Sequence, residues 1–273
     1  MTILVTGANG NVSSALLATL AADPAHQVRA LVRDPAKAPA GVEVAVGDLA
    51  QPHTLTGAFA GVDTLWLLTA MGPDAPHASS NAVWAARQAG VRHIVRLSAI
   101  GAAHDAPTRN GRLHALSDTE LQASGIGWTV IRPAFFLQNL LGSVQSGVLH
   151  AATGDGRLSP IDVRDIADFG ARVLAEPSRH ARRVYTITGP ESLSMRAAAD
   201  RIGASYQHVP AADVVAGMRV AGLSDWIADV TGEYLDAYAA GWGDLVTRDF
   251  AEVTGRPARD FVTFAREHGL ATR

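Results

Sequence analysis

Residues 5–17 read VTGANGNVSSALL, a short apolar run, two glycines spaced three apart, and then alanine- and leucine-rich sequence. A strand, a Gly-x-x-Gly turn and a helix form a phosphate site because Gly7 permits the tight turn and Gly10 lets the backbone approach a pyrophosphate. The helix N-terminus adds free N–H groups and partial positive charge. The stretch therefore predicts a dinucleotide site at the first strand of a βαβ series.

The third position of this glycine pattern is occupied by Ser13. That position serves helix–sheet packing, so one extra hydroxymethyl group is expected at modest cost. Glycines also serve ordinary turns, but a turn directly after the first strand favours a cofactor. The loop residues assigned to the cofactor are Gly7, Asn9, Gly10, Asn11 and Val12.

The end of the second predicted strand bears on the choice of dinucleotide. An acidic residue there, about 20 residues past the loop, takes the ribose 2′-hydroxyl of NAD, whereas arginine accommodates a 2′-phosphate. Arg33 occupies this place, with Lys37 nearby. The pair favours NADP(H). Asp34 keeps NAD(H) open, because a small rotation would present its carboxylate instead.

Composition excludes several classes of protein. The 273 residues are 48% hydrophobic, carry a formal net charge of −3 and include no cysteine. Neither nucleic acid nor an acidic membrane is favoured as a partner, and disulfides and thiolate chemistry are excluded. The histidines lack metal-ligand spacing, and no run approaches the length of a membrane span. We expect a soluble cytoplasmic protein, monomeric or homodimeric, without a metal.

Short β-branched runs alternate with longer alanine- and leucine-rich segments, which is typical of βα units on a parallel sheet. The predicted strands are residues 3–5, 28–32, 42–46, 64–68, 93–97 and 128–131. The predicted helices are residues 13–22, 78–89 and 113–124. Gly90 and Gly125 stand where helix-ending glycines belong. The pattern predicts an α/β fold with a Rossmann-type doubly wound parallel sheet.

The alternation loosens after Pro133. A helix is predicted over residues 162–174, a strand over 183–187, and a mostly helical tail follows. We expect a dinucleotide-binding core over residues 1–155, completed by 160–188. Residues 189–273, together with 133–158, would form a smaller lobe on the substrate side, at the carboxyl ends of the strands.

The whole chain resembles the NmrA-like branch of the atypical short-chain dehydrogenase/reductases. The motifs that carry the resemblance are VTGANGNV, LVRDPAK, VAVGDLAQPHTL, GVDTLWLLT, AARQAGVRHIVRLSAIGA, ASGIGWTVIRPAFFLQNL, DVRDIADFGARVL, YTITGPESLS and EVTGRPARDFVTFARE. This branch includes the second type of NAD(P)H:quinone reductase and triphenylmethane reductase. The resemblance implies an NAD(P)H-dependent oxidoreductase that reduces a quinone or polycyclic aromatic, with aromatic polyketide tailoring as a possible context.

The resemblance also assigns site residues. Asp48 and Leu49 would flank the adenine, and Leu68 and Thr69 would lie along the adenosine ribose. Ser98 and Pro133 would lie at the nicotinamide. Phe136 and Asn139 would face the substrate pocket, although plain core packing is an equal alternative for Phe135 and Phe136.

The Tyr-x-x-x-Lys pair by which standard short-chain dehydrogenases protonate their substrate is missing. The chain has a single lysine, Lys37, and none of its four tyrosines has a lysine four residues on. In the equivalent stretch the two positions fall at about Arg112 and Leu116. A positioned general acid contributes about 10²–10⁴-fold. A quinone needs it less than a ketone does, because hydride addition to a quinone gives a delocalised anion.

Other residues could supply a proton or hold the substrate. His104 and His114 bracket residues 101–113, and histidine titrates in a useful range. We select His114, with Ser98, as the catalytic candidates, and His104 and Arg112 as substrate contacts. A solvated surface histidine is the commoner alternative.

Two other functions are weighed. A redox sensor that binds NAD(P)(H) without turnover would also lack the dyad, although the chain shows no basic patch or interaction tail. An epimerase of the extended branch is disfavoured, because it must oxidise an unactivated alcohol.

Overall fold

The computed structural model describes residues 1–270. Its strands are β1 (Thr2–Val5), β2 (Gln27–Val32), β3 (Glu43–Val46), β4 (Thr64–Leu67), β5 (His93–Leu97), β6 (Gly127–Pro133), β7 (Val144–Gln145), β8 (Val148–Ala151), β9 (Arg157–Leu158), β10 (Arg183–Ile187), β11 (Leu193–Ser194) and β12 (Ser205–His208). Its α-helices are α1 (Asn11–Ala21), α2 (Leu55–Phe59), α3 (Ala75–Ala89), α4 (Arg109–Ala123), α5 (Val163–Ala175), α6 (Met195–Arg201), α7 (Ala211–Val220), α8 (Asp225–Ala239), α9 (Asp249–Thr254) and α10 (Phe261–Glu267).

A seven-stranded sheet forms the centre, in the order β10-β6-β5-β4-β1-β2-β3. All neighbouring strands are parallel. The chain moves outward from β1 to β3, then returns to β4 on the other side of β1. Doubly wound folds bind ligands at such a reversal, beyond the carboxyl ends of the strands. The predicted fold class is confirmed.

Helices cover both faces of the sheet, and the strands alternate accordingly. Ile3 and Val5 pack with side chains of α1 and α5, whereas Leu4 packs with side chains of α2 and α3. Successive residues of a strand point to opposite faces. This explains why residues 3–5 of β1 are all apolar instead of alternating with polar residues.

Ser13 has a larger part in the packing of α1 than the sequence indicated. Its side chain is fully buried, its hydroxyl donates to the Thr6 carbonyl at 2.9 Å, and the Trp66 indole Nε1 donates to it at 3.1 Å. The Trp66 ring is held closely from α5, since a Cβ on Gly170 would come within 2.7 Å of it. Ser13 therefore supplies the hydrogen-bond partner that a buried tryptophan requires.

Replacing Ser13 with alanine is expected to lower the free energy of unfolding by about 1–3 kcal/mol, because the buried indole N–H loses its acceptor. Urea denaturation measures the change. Ser14→Ala is the matched control, since Ser14 is an exposed neighbour on the same helix turn. Equal stability of the two variants would contradict the role given to Ser13.

The C-terminal part of the chain builds a lobe against this core. It contains a three-stranded sheet, β12-β8-β7, and a two-stranded sheet, β11-β9. Its apolar cluster includes Leu149, Met195 and Phe264. Helix α7 packs beside α8 but contains no buried residue, so it is the least embedded helix of the lobe.

Two contacts tie α8 to the start of α4. The Glu233 carboxylate accepts from the Arg109 backbone N–H and from Arg109 Nε, both at 2.6 Å. The Asn110 side-chain amide donates to the Tyr234 hydroxyl at 3.0 Å. These contacts join residues far apart in sequence and fix the lobe over the carboxyl ends of the sheet.

One predicted helix begins a full turn too late. The structure starts α4 at Arg109 instead of residue 113, because the Thr108 hydroxyl accepts from the Gly111 N–H at 3.1 Å and caps the helix. The predicted helix over residues 162–174 is observed as Val163–Ala175. Gly90 and Gly125 adopt φ of 74° and 81°, as helix-ending glycines do.

Candidate active site

The turn after β1 has the geometry of a phosphate cradle. Gly7 has a φ of 65°, and a Cβ there would lie 2.6 Å from Leu68 Cδ2. The Gly10 N–H donates to the Gly7 carbonyl at 2.8 Å, which closes the turn. No side chain caps the N-terminus of α1, and no acidic residue lies in its first turn. Its amide groups are therefore available to an anion.

The five predicted loop residues differ in exposure. Gly7, Asn9, Gly10 and Asn11 are exposed, as a ligand contact requires. Val12 is only 4% exposed and belongs to the core. Its side chain therefore has a packing role, and only its backbone is in a position to serve the cradle.

Arg33 and Lys37 remain available after β2. Both side chains are exposed, and neither forms an ion pair or side-chain hydrogen bond within residues 1–270. The Asp34 carboxylate, by contrast, accepts from the Ala36 N–H at 3.0 Å and caps the short helix Pro35–Lys37. One oxygen of Asp34 is thus engaged within its own turn, whereas Arg33 and Lys37 are free to meet a 2′-phosphate.

We expect Arg33→Ala to weaken NADPH binding about tenfold and to leave NADH binding unchanged. A charge-assisted contact is worth about 1.5 kcal/mol at the low end, which suits an exposed side chain. Calorimetric titration with both dinucleotides gives the two affinities. Arg87→Ala, on the far part of α3, is the control for lost positive charge. A parallel loss for NADH would argue against recognition of a 2′-phosphate.

The predicted adenine residues lie in a braced turn after β3. Asp48 Oδ1 accepts from the Ala50 N–H at 3.0 Å, and the Leu49 carbonyl accepts from the Asn81 amide at 2.8 Å. The second Asp48 oxygen makes no hydrogen bond within residues 1–270. It is therefore available to an amino group such as that of adenine, and this assignment remains a prediction.

A cavity of about 610 Å³ opens beyond the carboxyl ends of β4, β5 and β6. The core side is formed by residues from the strand ends, including Leu68, Ser98 and Pro133. The lobe side is formed by residues such as Val214 and Tyr234. The size and mostly apolar lining are typical of a small-molecule site.

A buried charge network adjoins this cavity. Asp118 accepts from Arg96 Nε at 2.9 Å, from the Ser98 hydroxyl at 2.9 Å and from Arg132 Nη2 at 2.9 Å. The side chains of Arg96 and Asp118 are only 1% and 3% exposed. Arg96 also donates to the Ser79 hydroxyl at 3.1 Å. Every polar group of the network thus has a partner.

His114 lines the cavity and contacts this network. Arg96 Nη2 lies 3.4 Å from His114 Nδ1. Because a guanidinium only donates, Nδ1 is the acceptor and the ring hydrogen lies on Nε2. Burial, with the Arg96 guanidinium second, lowers the pKa of His114 to about 3. The imidazole is therefore neutral near pH 7, and it offers a ligand the Nε2–H as a hydrogen-bond donor.

The depressed pKa of His114 predicts a loss of stability in acid. As pH falls from about 6.5 towards 3, the unfolded chain takes up a proton that the folded chain does not, so stability falls. Burial also lowers the pKa of His93 to about 4, with the same sign. His114→Gln should reduce the stability lost between neutral and mildly acidic pH, as measured by denaturation. His104→Gln, at an exposed histidine, is the control; equal slopes in all three proteins would contradict the prediction.

Ser98, which was expected at the nicotinamide, lies at the end of β5 in the cavity wall. Its hydroxyl hydrogen is directed to Asp118, so its oxygen is left as an acceptor. A role in positioning an amide or hydroxyl of a ligand is compatible with this contact. Proton donation from Ser98 is not.

The segment after β6 lines the cavity as expected. Phe135, Phe136 and Asn139 are all in its wall. Phe135 also makes an edge contact with Tyr238, with ring centroids 5.8 Å apart. Phe136 packs against the apolar core as well. Each phenylalanine therefore both lines the cavity and packs against its neighbours.

The structure contradicts the expectation that His104 and Arg112 contact the substrate. Neither residue lines the cavity. His104 is exposed beside Thr119, with 3.3 Å between Nε2 and the hydroxyl, and Arg112 Nη1 donates to the Ala106 carbonyl. The cavity face of α4 carries Asn110 and His114, which have the same four-residue spacing as the missing dyad. The positions first compared with that dyad, Arg112 and Leu116, are exposed because they lie on another face of the helix.

The cavity residues that were not identified from the sequence include four with polar side chains over the sheet: Arg96, Asn110, Tyr234 and Tyr238. Arg96 had a usable signal, because a charged residue in the apolar run HIVRL requires a buried partner. Tyr234, Tyr238 and Trp242 are spaced four apart and form one aromatic cluster. Their position over the sheet depends on how the lobe folds back.

No helix within residues 1–270 is long and apolar enough to cross a bilayer. In the same described part of the chain, no three histidine, aspartate or glutamate side chains are grouped so that they could hold a metal ion.

The doubly wound sheet and the Gly7–Gly10 turn are typical of dinucleotide-binding proteins, and comparison with known families agrees with this class. A sequence model described as NAD(P)H-binding matches residues 7–177, and the chain belongs to this family. The chain is 37% identical to NAD(P)H azoreductase of Xenophilus azovorans over 287 aligned positions, with 98% of each chain covered.

Two solved structures extend the comparison. The NADPH complex of Escherichia coli quinone oxidoreductase QOR2 matches with a TM-score of 0.86 and 27% identity, covering 97% of this chain and 99% of that one. The NADP(H) complex of Citrobacter triphenylmethane reductase has the same TM-score and coverage at 26% identity. The NmrA-like resemblance and the prediction of an NAD(P)H-dependent oxidoreductase are thereby confirmed.

Proposed function

We propose that this protein transfers hydride from NADPH to a quinone or another electron-poor aromatic, without a tyrosine–lysine dyad. The observation that carries the proposal is the apolar cavity at the carboxyl ends of β4, β5 and β6, walled by aromatic side chains. The names of its relatives, an azoreductase and a quinone oxidoreductase, support this class of acceptor.

The residues present fit a bound NADPH. The Gly7–Gly10 turn and the uncapped start of α1 would hold the pyrophosphate, Arg33 the 2′-phosphate and Asp48 the adenine amine. Ser98 and Pro133 would lie along the nicotinamide. When bound, this cofactor supplies the hydride. The apolar wall keeps water from the reacting faces and fixes a flat ring against them.

The chemistry places little demand on a proton donor. One hydride added to a quinone, with its two electrons, gives a hydroquinone monoanion, and a proton from water completes the reduction. The cavity face of α4 offers a hydrogen bond from the neutral His114 Nε2–H. An ordinary ketone would give a localised alkoxide that this face cannot protonate.

A narrower form of the proposal is a polycyclic aromatic acceptor in polyketide tailoring, by reduction or a hydroxylation-associated step. The cavity volume accommodates fused rings better than it orients a small aliphatic carbonyl. Anthraquinones in the acceptor panel address this form directly.

The test is NADPH oxidation, followed by absorbance, with a panel of naphthoquinones, anthraquinones, azo dyes and an unactivated ketone. We expect steady turnover with at least one aromatic acceptor and none with the ketone. Tight NADPH binding with no oxidation across the panel would instead identify a redox sensor. No calorimetric saturation with either NADPH or NADH would remove both functions.

A further inference from the structure

The buried network beside the cavity carries more positive than negative charge. Two guanidinium groups, Arg96 and Arg132, share the single carboxylate of Asp118. Arg132 is 22% exposed and Arg96 is nearly sealed, so water screens this charge far less than at a surface. One unit of positive charge is left over among these three side chains, of which Arg96 lines the cavity.

The other charged groups nearby do not cancel this excess at the cavity. The Glu120 carboxylate acts on Arg96 from α4, but it accepts from the Ser80 hydroxyl at 2.6 Å, and the charges that act on His114 are those of Arg96, Asp118 and Arg132. Arg109 of α4 is paired with Glu233, Arg112 lies on the exposed side of that helix, and His114 is neutral. Arg96 is the member of the Arg96–Arg132–Asp118 cluster that lines the cavity, so the excess charge of the cluster acts there through Arg96 and the His114 ring that it contacts.

His114 adds a hydrogen-bond donor beside the positive charge of this cluster. Arg96 donates a hydrogen bond to Nδ1 of His114 and thereby keeps the ring hydrogen on Nε2. Arg96 is thus a positioning residue for His114. Asn110, four residues earlier on the same face, donates an amide hydrogen to the Tyr234 hydroxyl. The His114 Nε2–H is then a donor backed by a cation, which suits an oxygen that carries negative charge.

We propose that the Arg96–Arg132–Asp118 cluster and His114 form a binding site for aromatic oxyanions, namely phenolates and ionised hydroxyquinones. The ligand would place its charged oxygen at His114 Nε2 and its ring against the apolar cavity wall. The inference deepens the proposed function, on which it rests for one consequence. The same site would stabilise the monoanion formed when a quinone accepts hydride.

The test uses 4-nitrophenol as the probe, because its visible absorption distinguishes phenolate from phenol. Binding is measured without NADPH, in the presence of adenosine 2′,5′-bisphosphate to fill the phosphate cradle, across the titration of the probe. We expect phenolate to bind at least about tenfold more tightly than phenol, which lowers the pKa of the bound probe by about one unit.

Matched variants locate the effect. Arg132→Gln leaves Asp118 paired with Arg96 and removes the excess charge, so the preference for phenolate should disappear, whereas Arg132→Lys should retain it. His114→Leu removes the donor without changing charge and should also reduce the preference. Arg112→Gln removes an equal charge from the exposed side of α4 and should leave the preference unchanged.

Three results would overturn the oxyanion site: equal affinity for phenol and phenolate, an unchanged preference in both Arg132→Gln and His114→Leu, or no saturable binding of the probe. The outcome is separate from turnover. A phenolate preference without NADPH oxidation would keep this site and remove the proposed reaction. Turnover without the preference would do the opposite.

Discussion

Replacing Asp118 with asparagine is expected to lower the free energy of unfolding by about 3–5 kcal/mol, because it leaves two guanidinium groups at a buried site without a counter-charge. The Arg96 guanidinium is destabilised more than that of Arg132, because its side chain is only 1% exposed and solvent cannot replace the lost partner. The shape of the side chain is conserved, so the effect isolates the charge. Chemical denaturation at neutral pH gives the measurement.

A double variant tests whether uncompensated charge causes this loss of stability. Combining Asp118→Asn with Arg132→Gln removes one of the stranded cations, so the double variant should be more stable than Asp118→Asn alone. Asp105→Asn, at an exposed carboxylate without a side-chain partner within residues 1–270, should change stability little. If the double variant were the less stable of the two, uncompensated charge would not be the cause.

Gly7→Ala is expected to weaken NADPH binding about a hundredfold. A left-handed backbone costs an L-residue about 1–2 kcal/mol, and the new Cβ would overlap Leu68 Cδ2, which adds about 1–3 kcal/mol. The free protein relieves this strain by moving the turn, whereas a bound pyrophosphate requires the turn as it stands. Calorimetric titration measures the loss.

Gly61→Ala is the matched control for this variant. Gly61 has a φ of 71°, but a Cβ there meets no atom within 4 Å and the residue lies in the loop after α2. It should show similar backbone strain in denaturation and unchanged affinity for NADPH. An equal loss of affinity in both variants would mean that general destabilisation, not the cradle, explains the result.

The features that sequence predicted well are those set by neighbouring residues. The strand–turn–helix around Gly7 and the order of βα units follow from local spacing and apolar runs. The PAFFLQN segment was located through its resemblance to a family. None of these requires knowledge of how distant segments meet.

The features that sequence missed depend on long-range contacts or on helix phase. Equivalence with the dyad stretch pointed to Arg112, whereas the phase of α4 turns Asn110 and His114 towards the cavity. Tyr234 reaches the site only because the lobe folds back and its hydroxyl accepts from Asn110. Asp118 reads as an ordinary polar position until Arg96 is seen beside it.

The weak embedding of α7 has a consequence for how acceptors reach the cavity. Its neighbour α8 is anchored to α4 by an ion pair and an amide contact, whereas α7 reaches the cavity through partly buried residues such as Val214. The ion pairs of α7 run from Arg219 to Asp225 and Asp229 of α8, so within residues 1–270 no ion pair joins α7 to the central sheet. Among the helices around the cavity, α7 is therefore the one whose displacement would cost the least free energy when a large flat acceptor enters.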